Sequence, residues 1–159
     1  MSRWQSPSSG LEWVEPGAGV VVALPASRLS GFDREARRAA EASTVGRWCA
    51  PLDGGGLALG EPFRTAVLQC AAGVRLVQWI GADAEQDLVR LAAALPDGDG
   101  WAETGSVPAE AGPWLVLSSD DAVDGVPICL EIPEGLSRVR HRMLRTETTE
   151  ALVFQWTRG

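Results

Sequence analysis

Apolar and polar positions alternate along this chain in short bursts, separated by glycine, proline and acidic residues. Residues 20–24, VVVAL, form an apolar run rich in β-branched side chains between Gly19 and Pro25. Such a run predicts a strand buried on both faces. Asp33 then opens DREARRAAEAS, whose acidic first turn and freedom from internal glycine or proline predict a helix. Its apolar stripe is only Ala36, Ala39 and Ala40, so the helix is expected to lie flat and close on a sheet. From Val45 the pattern returns to strands, with turns at DGGG (residues 53–56), Glu61-Pro62 and Ala72-Gly73 and with TAVLQC between the last two. Consecutive antiparallel strands are the economical reading. In VRLVQWI, Arg75, Val77 and Trp79 share one face and Val74, Leu76 and Gln78 share the other.

The strongest helical pattern is DAEQDLVRLAAALP. Asp83 is placed to cap it, Ala84, Leu88, Leu91, Ala92 and Leu95 form one stripe, and Pro96 and Gly98 end it. WAETGS, WLVLSS at residues 114–119, and RVRHRM then read as further strands. Three short matches recur in order. Trp13, Glu15 and Gly17 match Trp101, Glu103 and Gly105; LALGEP matches LEIPEG; and Gln78-Trp79 matches Gln155-Trp156. Their order predicts a duplication with pseudo-repeats at 11–82 and 99–159, in which the helix after Asp33 has only a shortened counterpart near Asp120. The expected architecture is one α+β domain over residues 11–159 with mostly antiparallel sheet, built from two strand, helix or loop, then three-strand meander halves. Residues 1–10 are expected to be a flexible N-terminus.

Composition narrows the function more than the fold. All 14 basic residues are arginine, and lysine, asparagine and tyrosine are absent. Those three use A/T-rich codons, so the bias points to a GC-rich bacterial genome rather than to chemistry. A net charge of -7 disfavours a nucleic-acid partner and would steer in a basic one. Cys49, Cys70 and Cys129 are odd in number and widely spaced, which predicts small core hydrophobes in a reducing compartment rather than a disulfide framework or a zinc site. MSRWQSPSSG lacks a signal peptide's apolar run, and no segment approaches the ~20 apolar residues of a membrane span. A cytoplasmic protein with no membrane association is expected.

His141 is the only histidine, so any nucleophile-histidine arrangement must use it. Its place on the apolar side of RVRHRM predicts a packed side chain, and no catalytic residue is assigned. Arg138, Arg140 and Arg142 on the opposite side are expected to be a solvated face paired with acidic cross-strand neighbours. DGGG and DGDG lack the lysine of a phosphate loop and read as turns, and Asp120, Asp121 and Asp124 in SSDDAVDG lack calcium-loop spacing. No metal or cofactor is therefore expected. Of the seven tryptophans, Trp79 and Trp156 suit the core, whereas Trp13, Trp101 and Trp114 beside glycine and proline turns are candidate exposed anchors.

WVEPGAGVVVALPASRL at residues 13–29, GFDREARRA, LALGEP and VRLVQWIGAD together resemble the bacterial immunity protein 21 family of polymorphic toxin systems. That resemblance implies a cytoplasmic antidote that binds and neutralises a toxin domain without catalysis. The physical reading agrees: a small acidic protein can block a basic toxin, for instance a nuclease, by presenting carboxylates where phosphate would sit. The candidate partner-binding residues are Asp120, Asp121, Asp124, Trp114 and Trp101. Two alternatives make different demands. A small-molecule or regulatory module would use a Trp-lined cleft between the duplicated halves, and a hydrolase would need His141 in a cleft beside a carboxylate and a nucleophile.

Overall fold

Two corner sequences, LGEP and IPEG, decide how the strands are shared out. The computed structural model describes Trp4, residues 12–123 and residues 125–159. Among these residues the first half supplies β1 (Val21–Pro25), a 3₁₀ helix (Ala26–Gly31), α1 (Arg34–Ser43), β2 (Cys49–Pro51), β3 (Leu57–Leu59), β4 (Thr65–Cys70) and β5 (Gly73–Ala82). After α2 (Glu85–Ala94) come β6 (Ala102–Ser106), β7 (Gly112–Ser118), β8 (Ile128–Ile132), β9 (Leu136–Arg145) and β10 (Thr149–Arg158). One antiparallel sheet runs β2-β3-β1-β7-β8 and the other β4-β5-β10-β9-β6. The chain therefore changes sheet three times, between β3 and β4, between β6 and β7 and between β8 and β9; at the first and last of these Gly60 and Pro62, then Pro133 and Gly135, interrupt the strands. The expected three-strand meanders are split at these corners, and the result is a single α+β domain with two sheets in place of one.

The strand order has a two-fold pattern. Reading outward from the β1/β7 pair, β3 and β8 are equivalent; reading outward from the β5/β10 pair, β4 and β9 are equivalent. Val14 bridges Thr65 at the outer side of β4, as β6 flanks β9. Where α1 stands in the first half, the second has, among the described residues, no helix between β7 and β8. The Gln-Trp match, however, is one residue out of step. Trp79 packs beneath α2 whereas Trp156 faces the space between the sheets, and a shift of one residue in a strand exchanges its faces.

Alternation along each strand makes both sheets two-sided. Inner residues, including Leu57, Val74, Leu76, Val116, Leu130 and Phe154, form the central cluster. At its heart Trp114 and Trp156 meet edge to face with centroids 5.3 Å apart, and each ring nitrogen donates to a backbone carbonyl, of Glu110 and Val107 respectively. That satisfies the polar atom each indole carries into the core. Outside the first sheet α1 lies over β2 and β3, and outside the second α2 lies over β5 and β10. Asp33 caps α1 by accepting from the Ala36 amide. Ala84, not Asp83, occupies the cap position of α2 and provides no side-chain bond. Of the cysteines Cys49 is buried as expected, Cys70 is half-buried, and Cys129 is exposed on the outer face of β8.

The attachment of α2 depends on a side chain that an apolar strand would not ordinarily hold. Arg75 is fully buried on β5, with Nη1 donating to the Ala92 carbonyl at 2.8 Å, Nη2 to that of Leu95 at 3.0 Å, and Nε to Gln155 Oε1 at 2.9 Å. It thus occupies the C-terminal end of α2, where the last carbonyls lack intrahelical donors and the helix dipole favours a cation. Asp97 Oδ1 completes the shell at 3.1 Å. Trp4 lies 4.2 Å from the guanidinium carbon and Trp101 5.1 Å. Trp4 is only 6% exposed, so at that residue the expected flexible N-terminus is instead part of the fold. Burial pushes the Arg75 pKa down to about 10, against the pull of Asp97, which leaves it cationic at neutral pH. Replacing Arg75 by methionine would keep the bulk but strand those carbonyls and Asp97. The expected loss is about 3 kcal/mol of unfolding free energy in urea titration, with protection from hydrogen exchange lost first in α2.

Candidate functional site

The two halves are stitched together where the turn before β1 meets the loop after β7. Asp120 accepts from the Ala18 amide through Oδ2 at 2.9 Å and from the Ala122 amide through Oδ1 at 3.0 Å. Those two bonds, more than the nearby Arg37 charge, hold its carboxyl below the usual aspartate range. Ser118 Oγ donates to the Pro16 carbonyl at 2.6 Å, and Ser119 Oγ links the Val20 amide to Glu41. The approach is so close that a Cβ on Gly17, which has φ +61°, would stand 2.5 Å from Asp120 Oδ2. Gly17 thus owes its place in the WxExG match to this seam.

The seam separates two depressions. On one side is a groove of about 280 Å³ formed by both halves, with Trp13, Glu15, Leu29, Asp121, Val126 and Pro127 among its lining. Val126 is 90% exposed and Leu29 39%, so the groove has apolar ground beside carboxylates. On the other side a shallow cleft of about 290 Å³ sets Arg34, Arg37 and Arg38 against Glu41, Asp120 and Asp121. Arg37 is committed to the carbonyls of Phe32 and Ser118. The surface around the aspartates is therefore of mixed charge rather than uniformly acidic.

The five residues singled out from sequence do not converge. Trp114 is 1% exposed and belongs to the core, because the Gly112-Pro113 bend lies within β7 rather than at a surface turn. Trp101 is half-buried over Arg75 and donates to the Pro96 carbonyl at 2.7 Å, as part of the α2 anchorage. Asp120 is structural, Asp121 is exposed in the groove, and Asp124 lies outside the described residues. Trp13 does reach the groove, while it also meets the Trp79 ring, 5.2 Å away, Glu85 and the Arg64 guanidinium. Sequence reasoning passed over Leu29 and Val126. The only signal for Val126 was an apolar residue inside DGVP, between turn formers.

The arginine strip is occupied as well. Arg138 pairs with Glu103 across the β6/β9 ladder, as expected, but Arg140 and Arg142 donate to carbonyls of Asp97, Gly98 and Asp99. His141 stacks on Trp48 with centroids 4.6 Å apart, and its Nδ1 lies 2.6 Å from Thr104 Oγ1. Among the described residues no carboxylate bonds to it, so the hydroxyl and ring lack the third group of a relay. Nor does any group of three or more His, Cys, Asp or Glu among the described residues stand close enough to hold a metal ion. Among the described residues no helix is long and apolar enough to cross a membrane. Comparison with protein-family models, with curated proteins and with solved structures returns no match.

Partial burial lowers the His141 pKa from its ordinary 6.5 and so favours the neutral ring. As the pH falls the unfolded chain therefore takes up the proton first, and this contribution to stability declines from about pH 6.5 downward. The melting temperature is expected to fall between pH 7 and pH 5, and His141→Gln should flatten that limb. The decline from Asp120 would begin only below its ordinary 3.8. Calorimetry of both proteins from pH 7 down to about pH 3 separates the two.

Proposed function

We propose that this protein is a non-catalytic immunity protein that neutralises a toxin domain by covering it, and that the groove at the seam is its recognition surface. The observation that carries the reading is a pre-stitched groove bearing the exposed apolar residues Val126 and Leu29 next to Glu15 and Asp121. Recognition surfaces combine apolar anchors with a polar rim, and a backbone fixed in advance lowers the ordering cost of binding. The net charge of -7 would speed the approach of a basic toxin such as a nuclease. The mixture of carboxylates and arginines beside the groove would select the partner's register. Such an antidote needs a Kd of about a nanomolar, roughly -12 kcal/mol, which an interface of about 1,600 Å² supplies. The groove would therefore be the centre of a larger contact.

Co-expression with the C-terminal toxin domain encoded beside it is the direct test, scored by growth rescue and co-purification together. Asp121→Arg combined with Val126→Asp alters only exposed positions and is expected to weaken the complex by about 30-fold or more, as loss of a hot spot does. Rescue and affinity unchanged by that double variant would remove the groove from the reading. Failure of the unaltered protein to bind or rescue would remove the reading itself.

A further inference from the structure

A further cavity lies away from the seam, in the first half alone. It holds about 640 Å³ between α1, the 3₁₀ helix and the β2/β3 turn, within the ~300–1,000 Å³ typical of small-molecule sites. Its origin is the alanine stripe. Ala36 and Ala39 face the opening and only Ala40 of α1 is fully buried, so the helix seals the sheet at one point and leaves Leu24, Phe32 and Leu52 as apolar floor and wall. On α2, by contrast, Leu88, Leu91 and Leu95 are packed against the other sheet.

The charges at the mouth are unequal. Asp33, Glu35 and Asp53 stand against Arg28 alone. Asp33 gives one oxygen to the α1 cap and keeps the other. Arg28 is drawn aside over the β2/β3 turn, where Gly54, at φ +82°, leaves room: a Cβ there would be 3.3 Å from Arg28 Nη1. None of these four groups makes an ion pair among the described residues. An apolar floor beneath a net negative rim suits an apolar body carrying a cationic head.

We infer that the cavity under α1 binds amphipathic organic amines, with the apolar body on Leu24, Leu52 and Ala39 and the ammonium among Asp53, Glu35 and Asp33. The site is separate from the groove and does not depend on the antidote reading. Octylamine, octanoate and 1-octanol share one apolar body and differ in the head, so calorimetric titration of the whole chain with each isolates the charge preference. Octylamine is expected to bind saturably and at least about tenfold tighter than octanoate, a difference of about 1.4 kcal/mol. Glu35→Gln with Asp53→Asn, both exposed positions, should reduce that preference to less than threefold. Ala39→Leu should abolish binding of octylamine while circular dichroism and melting temperature show the fold retained. Should Ala39→Leu unfold the chain, Ser43→Leu at another wall of the cavity replaces it. Equal or tighter binding of octanoate, absence of saturable octylamine binding, or octylamine binding untouched by a folded cavity-filling variant would each overturn the assignment.

Discussion

The outer layer of the second sheet depends on one buried guanidinium. Removing an arginine from water costs several kcal/mol, and a single half-exposed carboxylate such as Asp97 does not repay that. The balance is restored by the carbonyls of Ala92 and Leu95 and the Gln155 amide, because a hydrogen bond from a charged donor contributes about 1.5–3 kcal/mol. The same carbonyls would otherwise be the unsatisfied end of α2. Arg75 and the helix thus solve each other's desolvation problem, and Trp4 and Trp101 keep water from the solution they reach. Arg140 and Gln155 extend the arrangement by holding the Asp97 carbonyl, so β5, β9 and β10 all take part in anchoring one loop.

The topology is two-fold but its decoration is not, and the surface features arise where the halves differ. The first half covers its share of the first sheet with α1, whose alanines stand off from the sheet and leave a cavity. The second half replaces α1 by the loop after β7, and the groove opens there. Strand pairing tolerates this asymmetry because the ladders β1/β7 and β5/β10 are complete on both sides of the axis. Insertions and deletions at such loops leave the core unchanged and remodel what a partner meets.

How far the sequence carried this picture follows from the range of the interactions involved. Strands such as TAVLQC and VRLVQWI, and both helices, are set by alternation or by a 3.6-residue stripe, and these local signals placed them. The change of sheet at LGEP and IPEG was hidden, because a proline-glycine corner reads the same whether the next strand returns to its neighbour or crosses to another sheet. Trp114 was misplaced for a related reason. A glycine and proline beside it suggested a surface turn, whereas Gly112 and Pro113 sit inside an outer stretch of β7 whose inward position is filled by the indole. Of the candidate partner-binding residues that are described, Asp121 is the one exposed in the groove. Asp120 could not be told from it, since two adjacent aspartates differ here only in which one meets the Ala18 amide 102 positions away in the chain.

That difference bears on what the surface can do. Much of the polar chemistry is directed inward: Arg75, Arg140 and Arg142 supply donors to backbone carbonyls, Asp120 serves two amides, and His141 is held between Trp48 and Thr104. A side chain whose lone pairs or protons are already engaged is poorly placed to move a proton in a reaction, whereas it fixes the backbone around it firmly. The outward remainder at the seam is of another kind, with Val126 and Leu29 apolar and Asp121 exposed beside them. Rigid backbone and an apolar anchor beside a carboxylate are the ingredients of recognition, and they are what supports the proposed reading of the seam as a binding surface.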